Sequence, residues 1–390
     1  MNTGQTVFAQ LLDLIPTYEF RKCVHRYHGN RGVKHFTCWD QFLCMLYAQL
    51  TGRESLRSLE VCLHSVRTHL YHCGIRSPMS RSNLAHANEQ RDWRIYADFA
   101  QVLIQQAVRL YGEREYLPGL QQAVYAFDST TIELCRALFP WARFGRQAAG
   151  VKLHTLLDLR TDLPTFACIT PRRIHDVQLL DRLPWQPGAI YVLDRGYLDF
   201  ARLYRIHRAA AFFIIRARRD LRYYRHDSVK VNKATGLRAD QTVSLVSYYP
   251  RHTYLEPLRR ISFRDPVTGN GLVFLTNHTT LPALTITELY RGRWRVELFF
   301  KWIKSHLRIK AFYGTSANAV QTQLWIAICA YVLVAIARHV LQVNRSHYTI
   351  LHILEVTLTE KRPLYQVLTE SADLMPPRGA ANQKNLFEIF

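Results

Sequence analysis

Two short apolar runs, Ala123–Phe127 and Ala189–Leu193, each stop at an aspartate, giving AVYAFDSTTI and AIYVLDRGY. A run that is apolar at successive residues, with β-branched and aromatic members, fits a strand buried on both faces of a sheet. Asp128 and Asp194 then fall at strand ends on one rim. Taken singly, an Asp at a strand end reads as a turn or cap residue. A pair of them asks for a third partner.

Around these runs, Lys152–Leu159 alternates and Thr165–Thr170 is another strand candidate, so Ala123–Phe127 and these two suggest an antiparallel meander. His175–Leu183 reads as a crossover helix, Asp199–Arg208 as a helix and Ala211–Ile215 as a strand. That series makes a mixed α/β layer of the ribonuclease H-like kind. From Arg216 to about Asn277 short β segments return at Val243–Tyr249, Arg259–Phe263 and Leu272–Leu275, divided by turn residues such as Asp265, Pro266 and Gly269. This is a β-rich insertion.

Before the sheet, residues 1 to about 117 read as helical. Phe8, Leu11, Leu12 and Ile15 mark a first segment, Trp39 to Leu50 a second closed by Gly52, and Leu56, Leu59, Leu63 and Val66 a third, with a further helix from about Arg91 to Tyr111. Arg76–Asn83 is a basic, turn-rich stretch leading into a helix through Leu84 and Ala87. Its free amides, hydroxyls and Arg81 suit a DNA reader of the helix-turn-helix sort; a capped helix in a packing domain is the other account. The apolar run Leu324–Ala337 is shorter than a bilayer requires and reads as a buried helix.

The third partner lies in YRGRWRVELFFKWIKSHLRIK, Tyr290–Lys310, read as one helix resuming near Thr285. At 100° per residue, Tyr290, Arg293, Glu297 and Lys304 share a stripe that Lys301 and Arg308 join. One carboxylate is ringed by cations. Val296, Leu298, Phe299, Phe300, Trp302, Ile303 and Leu307 make the rest of the helix a surface to bury. Ordinary ion pairing along a solvated edge is the plain account, but the excess of cations suits an outside polyanion better.

Composition agrees: 51 Lys+Arg against 30 Asp+Glu gives a formal charge of +21, spread along the chain. Such a balance fits a protein that holds nucleic acid over a long footprint, and fits a membrane surface less well. The eight cysteines contain no CxxC pair and read as reduced residues of a cytoplasmic protein. Cys62, His64, His69, His72 and Cys73 match no standard zinc spacing, and no signal peptide is expected. On such a chain Asp128, Asp194 and Glu297 suit two Mg²⁺ ions, which prefer oxygen ligands and perform in-line phosphodiester displacement.

Tyr290, two residues, Arg293, three residues, Glu297, six residues, Lys304 resembles the YREK signature of DDE transposases of bacterial insertion sequences, in the insertion-sequence-four branch. Asp128 in FDSTTI, Asp194 in VLDRGY, the KLHTLLDLR stretch and the β insertion extend the resemblance over roughly Gln121–Gly314. It implies that Asp128, Asp194 and Glu297 are catalytic ligands of two Mg²⁺ ions, for which Mn²⁺ can substitute. It also implies that Tyr290, Arg293 and Lys304 contact transposon-end phosphates; the cation stripe adds Lys301 and Arg308, and the basic turn-rich stretch adds Arg81, as further DNA contacts. Trp294 matches a Trp that stacks on a flipped base in relatives, with a core Trp as the plain reading. The insertion has no Trp, only Tyr248, Tyr249 and Tyr254 as stacking candidates. The implied reaction is strand cleavage by water and transfer of a 3′-OH to target DNA, by a homodimer on paired double-stranded ends, in the bacterial cytoplasm at the nucleoid and without a membrane partner. An inactive DNA-binding relative acting as a repressor, or a related nuclease, are the alternatives.

The expected division is 1–117, a helical N-terminal DNA-binding domain; 118–215, the first part of a ribonuclease H-like domain; 216–280, the β-rich insertion; 281–345, the same domain continued with the Glu-bearing helix; and 346–390, a C-terminal helical segment and tail.

Overall fold

A computed structural model describes residues 4–70, 73–75, 79–112, 115–145, 148–218, 220–266, 268–306 and 312–370. The chain divides into two compact units, the first formed by 1–112, 131–151 and 300–379 and the second by 113–130, 152–299 and 380–390. Arg308 and the expected tail from Met375 to Lys384 lie outside the described residues.

The first unit is mainly helical. Its N-terminal helices are α1 (Val7–Leu12), α2 (Thr17–Arg26), α3 (Cys38–Leu50), α4 (Leu56–Ser65), α5 (Arg67–Leu70), α6 (Arg81–Gln90) and α7 (Arg94–Tyr111). The capping box of Thr37 and Asp40 starts α3, whose residues are nearly all buried. Gly112, at φ +61°, ends α7 where an L side chain would be strained. Later in the chain come α12 (Ala317–Val340), α13 (His347–Thr357) and α14 (Leu364–Glu370). With its 24 residues α12 is long enough to cross a bilayer, yet it is buried along most of its length, against α3, α6, α7 and α13. A helix apolar on every face is a core helix when others surround it. The weakly patterned sequence after Ser346 is held by main-chain bonds, Val7 N to Glu360 O and Phe8 N to Leu358 O, both 2.9 Å. Such bonds leave no periodic trace in the sequence.

The second unit is built on a mixed sheet. The sheet's strands are β1 (Val124–Glu133), β2 (Arg143–Phe144), β3 (Ala148–Asp158), β4 (Leu163–Pro171), β5 (Ile190–Leu193), β6 (Phe212–Arg216), β7 (Tyr223–Val229), β8 (Leu237–Leu245), β9 (Leu258–Arg264) and β10 (Gly271–Thr276). The order is β2-β3-β1-β5-β6-β10-β9-β8-β7, with β4 also on β3; β2, the end of β1 and the start of β3 fall within the first unit's residue ranges. β5 runs parallel to both β1 and β6, and β10 lies antiparallel to β6. The β-rich segment therefore continues the same sheet. Phe127, Tyr191, Leu193, Phe213, Ile215 and Leu275 lie in one buried cluster, to which α8 (Phe200–Arg208) adds Leu203 and Ile206.

Three local expectations differ. His175–Leu183 forms only a 3-10 helix, Asp176–Arg182, stopped short of Pro184, which disfavours helical backbone before it. Tyr248 and Tyr249 belong to α9 (Tyr248–Thr253) and not to a strand, because Pro250 cannot pair in a strand but is tolerated in a first helical turn. The Tyr290–Lys310 helix is two helices, α10 (Ala283–Gly292) and α11 (Trp294–His306), broken at Arg293. There Arg293 N bonds Tyr290 O and Val296 N bonds Arg293 O, both 3.1 Å and both one residue tighter than an α-helix.

Candidate active site

The parallel register of β1 and β5 pairs Val124 with Ile190 and runs through to Phe127 with Leu193. The next residues are Asp128 and Asp194. Two carboxylates are thus set at matching positions on neighbouring strands: Asp194 lies just past the carboxyl end of β5, as expected, whereas Asp128 lies within β1, which runs on to Glu133 because Ser129–Glu133 keep extended pairing beyond the apolar run.

Helix α10 delivers the remaining groups. Its approach is fixed by Arg259, which forks onto Asp240 (2.7 and 2.8 Å) and also donates to Leu281 O at 2.5 Å, just before the helix. Arg291 pairs with Asp265 at 3.1 Å and Arg295 with Asp162 at 2.6 Å, bracing both sides of the break. Tyr290 then donates its hydroxyl to Asp194 Oδ1 at 3.1 Å. Arg293 donates Nη1 to Asp128 Oδ2 at 2.7 Å and Nη2 to Glu297 Oε1 at 2.6 Å. One guanidinium therefore ties the first acid of the site to the last. A planar fork suits this bridging; an ammonium would not hold both.

Charge is unevenly balanced. Asp128 is buried apart from 18% of its side chain, and burial pushes its carboxyl up to about 6 against the pull of Arg293 and the Ser129 amide, with Glu297 and Asp194 adding to the rise. Burial likewise raises the Tyr290 hydroxyl to about 12, helped by Asp194. Burial works against the Arg293 charge, but Asp128, Tyr290 and Glu297 outweigh it and hold its pKa above the ordinary value. Asp128 and Glu297 share this guanidinium, while Asp194 is bonded by the Tyr290 hydroxyl. Among the described residues, no three acid, His or Cys side chains stand close enough to hold a metal as they are. Arg293 fills the place between Asp128 and Glu297.

The other residues singled out from the sequence are placed as follows. Trp294 opens α11 with about half its surface exposed (52%). Lys301 is exposed and Lys304 half-buried in the same helix. Arg81 begins α6 and is exposed, but its backbone amide already bonds Glu60 Oε1 at 2.8 Å. That helix end is therefore partly closed to an outside anion. Of the stacking candidates, Tyr254 is buried and bonded to His207 at 2.9 Å, whereas Tyr249 is exposed.

Two groups carried no sequence signal of their own. Tyr197 follows Asp194 on a 3-10 turn, lies edge-on to Phe127 with centroids 5.2 Å apart, and is raised in pKa by burial and by Asp128. His154, fully buried on β3, bonds Thr170 at 2.8 Å and is pushed down to about 4 by burial, so it is neutral. Both sit beside Phe127, the last residue before Asp128. Only pairing across the sheet brings them there.

Gly292 has a specific reason to be glycine: a Cβ there would lie 2.3 Å from Tyr116 Oη and 3.1 Å from Leu159 Cδ1. Gly292→Val is expected to cost about 1–3 kcal/mol by overpacking and to shift Tyr290 and Arg293 together. Denaturant melts would read the cost; an unchanged midpoint would mean that Tyr116 yields freely. Beside this junction lies a cavity of ≈ 690 Å³ lined by Tyr116, Leu272, Glu288, Tyr290, Trp294 and Arg295 among others.

Comparison with known proteins agrees with this arrangement. Residues 119–333 match the family model described as a transposase DDE domain, and residues 3–76 match a domain of unknown function, DUF4372. The chain is similar to y4zB of Sinorhizobium fredii, named as a transposase, at 33% identity over 288 residues, covering 72% of this chain and 78% of that one. It is similar to a protein of Geobacillus stearothermophilus named as a transposase for insertion sequence element IS5377, at 33% over 208 residues, covering 53% and 54%. A solved piggyBac transposase synaptic complex with hairpin DNA aligns over 95% of this chain and 81% of that one, at TM-score 0.44 and 10% identity, below the level at which a common fold follows. The family match takes in Asp128, Asp194, Tyr290, Arg293 and Glu297 together, and on it and the first relative the chain belongs to the transposases with a DDE domain.

Proposed function

We propose that this transposase binds the terminal inverted repeats of an insertion sequence as a homodimer and cuts and joins strands with two divalent ions held by Asp128, Asp194 and Glu297. In this reading it is of the insertion-sequence-four type, with Tyr290, Arg293, Glu297 and Lys304 as its YREK signature. The observation that carries it is the β1–β5 register, which brings two acids that are distant in sequence to matching positions on adjacent strands. A ribonuclease H-like core is supported by the neighbours β1, β3 and β4 followed by β5 and β6 parallel to β1.

Oxygen donors alone suit a hard cation such as Mg²⁺, with Mn²⁺ as a substitute. Bound there, such ions would activate the attacking oxygen and stabilise the leaving one in an in-line displacement. The chain's own groups have separate tasks. Tyr290 keeps Asp194 oriented through its hydroxyl. Arg293 neutralises Asp128 and Glu297 until it is displaced, and is then near enough to hold a phosphate oxygen. Trp294, Lys301 and Lys304 are the neighbouring contacts for the DNA.

Incubating the purified chain with Mg²⁺ and DNA bearing the element's inverted ends should give cut ends and strand-transfer products. DNA binding without cutting would favour a repressor-like relative, and cutting without joining would favour a nuclease. The Asp128 carboxyl adds a pH test. Ligation needs its ionised form, so divalent affinity should fall as pH drops through about 6, by up to roughly tenfold per unit. Calorimetric titration with Mn²⁺ at about pH 7 and about pH 5 would measure it, and equal affinities would remove Asp128 from the ligand set.

A further inference from the structure

The segment matched to the domain of unknown function carries a basic surface that the active site does not use. Helix α2 turns Phe20, Cys23 and Val24 inward, leaving Arg21, Lys22, His25 and Arg26 exposed. The loop that follows is pinned from below. Gly29 sits so close to Ile95 and Cys38 that a Cβ would lie 2.5 and 2.7 Å from their side chains. Asn30 Oδ1 accepts the Cys38 amide at 2.8 Å, and Arg91 Nη1 donates to Thr37 O at 2.7 Å. Arg31 and Lys34 are consequently displayed from a fixed loop and not from a loose tail.

Ion pairing on this face is selective. Lys22 pairs with Glu19 at 2.9 Å and Arg26 pairs with Asp98. Among the described residues, Arg21, Arg31 and Lys34 have no acidic partner. Between α2 and the loop lies a cavity of ≈ 370 Å³, with Phe20 and Trp39 at its floor and Arg21, His25, His28 and Arg31 at its rim. A solvated charged face is the plain account of exposed cations. It does not account for cations ringing an aromatic floor on a built loop.

We infer that this surface, formed by α2 and the loop to Thr37, is a contact for the sugar-phosphate backbone of duplex DNA. Unpaired guanidinium and ammonium groups meet phosphates, while Trp39, half-buried over the inward-turned Phe20, offers an apolar surface to the adjoining deoxyribose. The inference rests on the reading that the chain acts on DNA. It places that contact on a different part of the N-terminal segment from Arg81, whose helix end Glu60 partly closes.

The test is anisotropy of a labelled mixed-sequence duplex with the full chain, across about 50 to 200 mM salt. Arg21→Glu/Arg31→Glu should weaken binding more than tenfold and lower the salt slope by about two units. Arg109→Glu/Arg208→Glu, the same charge change at other exposed arginines, should do much less. Equal losses in the two double variants, or an unchanged slope in the first with wild-type melting, would overturn the inference while leaving DNA binding by the chain intact. Should the first variant misfold, Arg21→Gln and Arg31→Gln singly should each lower the slope by about one unit, and unchanged slopes would overturn it. A wild-type chain that binds no duplex at all would sink both this and the reading beneath it.

Discussion

Asp128→Asn, Asp194→Asn and Glu297→Gln are each expected to remove strand cleavage, by roughly 10³-fold or more, because groups acting as one unit fail together. Binding of DNA should change little, since phosphate affinity comes from cations spread over the chain. The substitutions keep shape and remove charge. For Asp128 the fold should also gain at neutral pH. Its folded pKa is raised to about 6 from an ordinary 3.8, so its stabilising contribution is full below the lower value and is lost as pH rises through the upper one. Asparagine has no such loss, though it gives up the charge that Arg293 meets. Cleavage assays on a duplex carrying the element's ends, with melting measured in parallel, would test both parts. Retained cutting by any of the three variants would remove that residue from the proposed ligand set.

The second large effect concerns Arg293. Its guanidinium joins Asp128 and Glu297 with only 13% of its side chain exposed. Arg293→Ala would remove the guanidinium that these two partly buried carboxylates share, at a cost of about 3 kcal/mol. Arg293→Lys would recover only part, since one ammonium cannot fork onto both acids. If Arg293 stands where a divalent cation goes, millimolar Mg²⁺ should raise the melting midpoint of Arg293→Ala more than that of the wild type. Equal responses to Mg²⁺ would mean that the ions bind elsewhere, and that Arg293 is a structural bridge alone.

A good deal of this was legible in the chain. Ala123–Phe127 and Ala189–Leu193 read as buried strands because every turn of their pattern is apolar, and Asp194 does follow its strand, whereas β1 runs on through Asp128 to Glu133. Glu297 read as a third acid because its helix neighbours are cations. Helices α3, α4 and α7 were visible through period and caps, whereas α2 was not, its apolar residues being too few. Tyr254 read as a stacking candidate by type alone, yet its hydroxyl is turned inward to His207.

Local pattern thus shows where most strands and helices lie, since these depend on residues within a turn or two. It does not settle partners. That Phe127 faces Leu193, and so Asp128 stands beside Asp194, follows from strand register across a separation of 66 residues. That the helix breaks at Arg293, letting one side chain reach both Asp128 and Glu297, follows from Tyr116 packing on Gly292 and from Asp265 and Asp162 gripping the arginines on either side. Those forces act between residues far apart in the sequence, so only the folded chain determines where they meet.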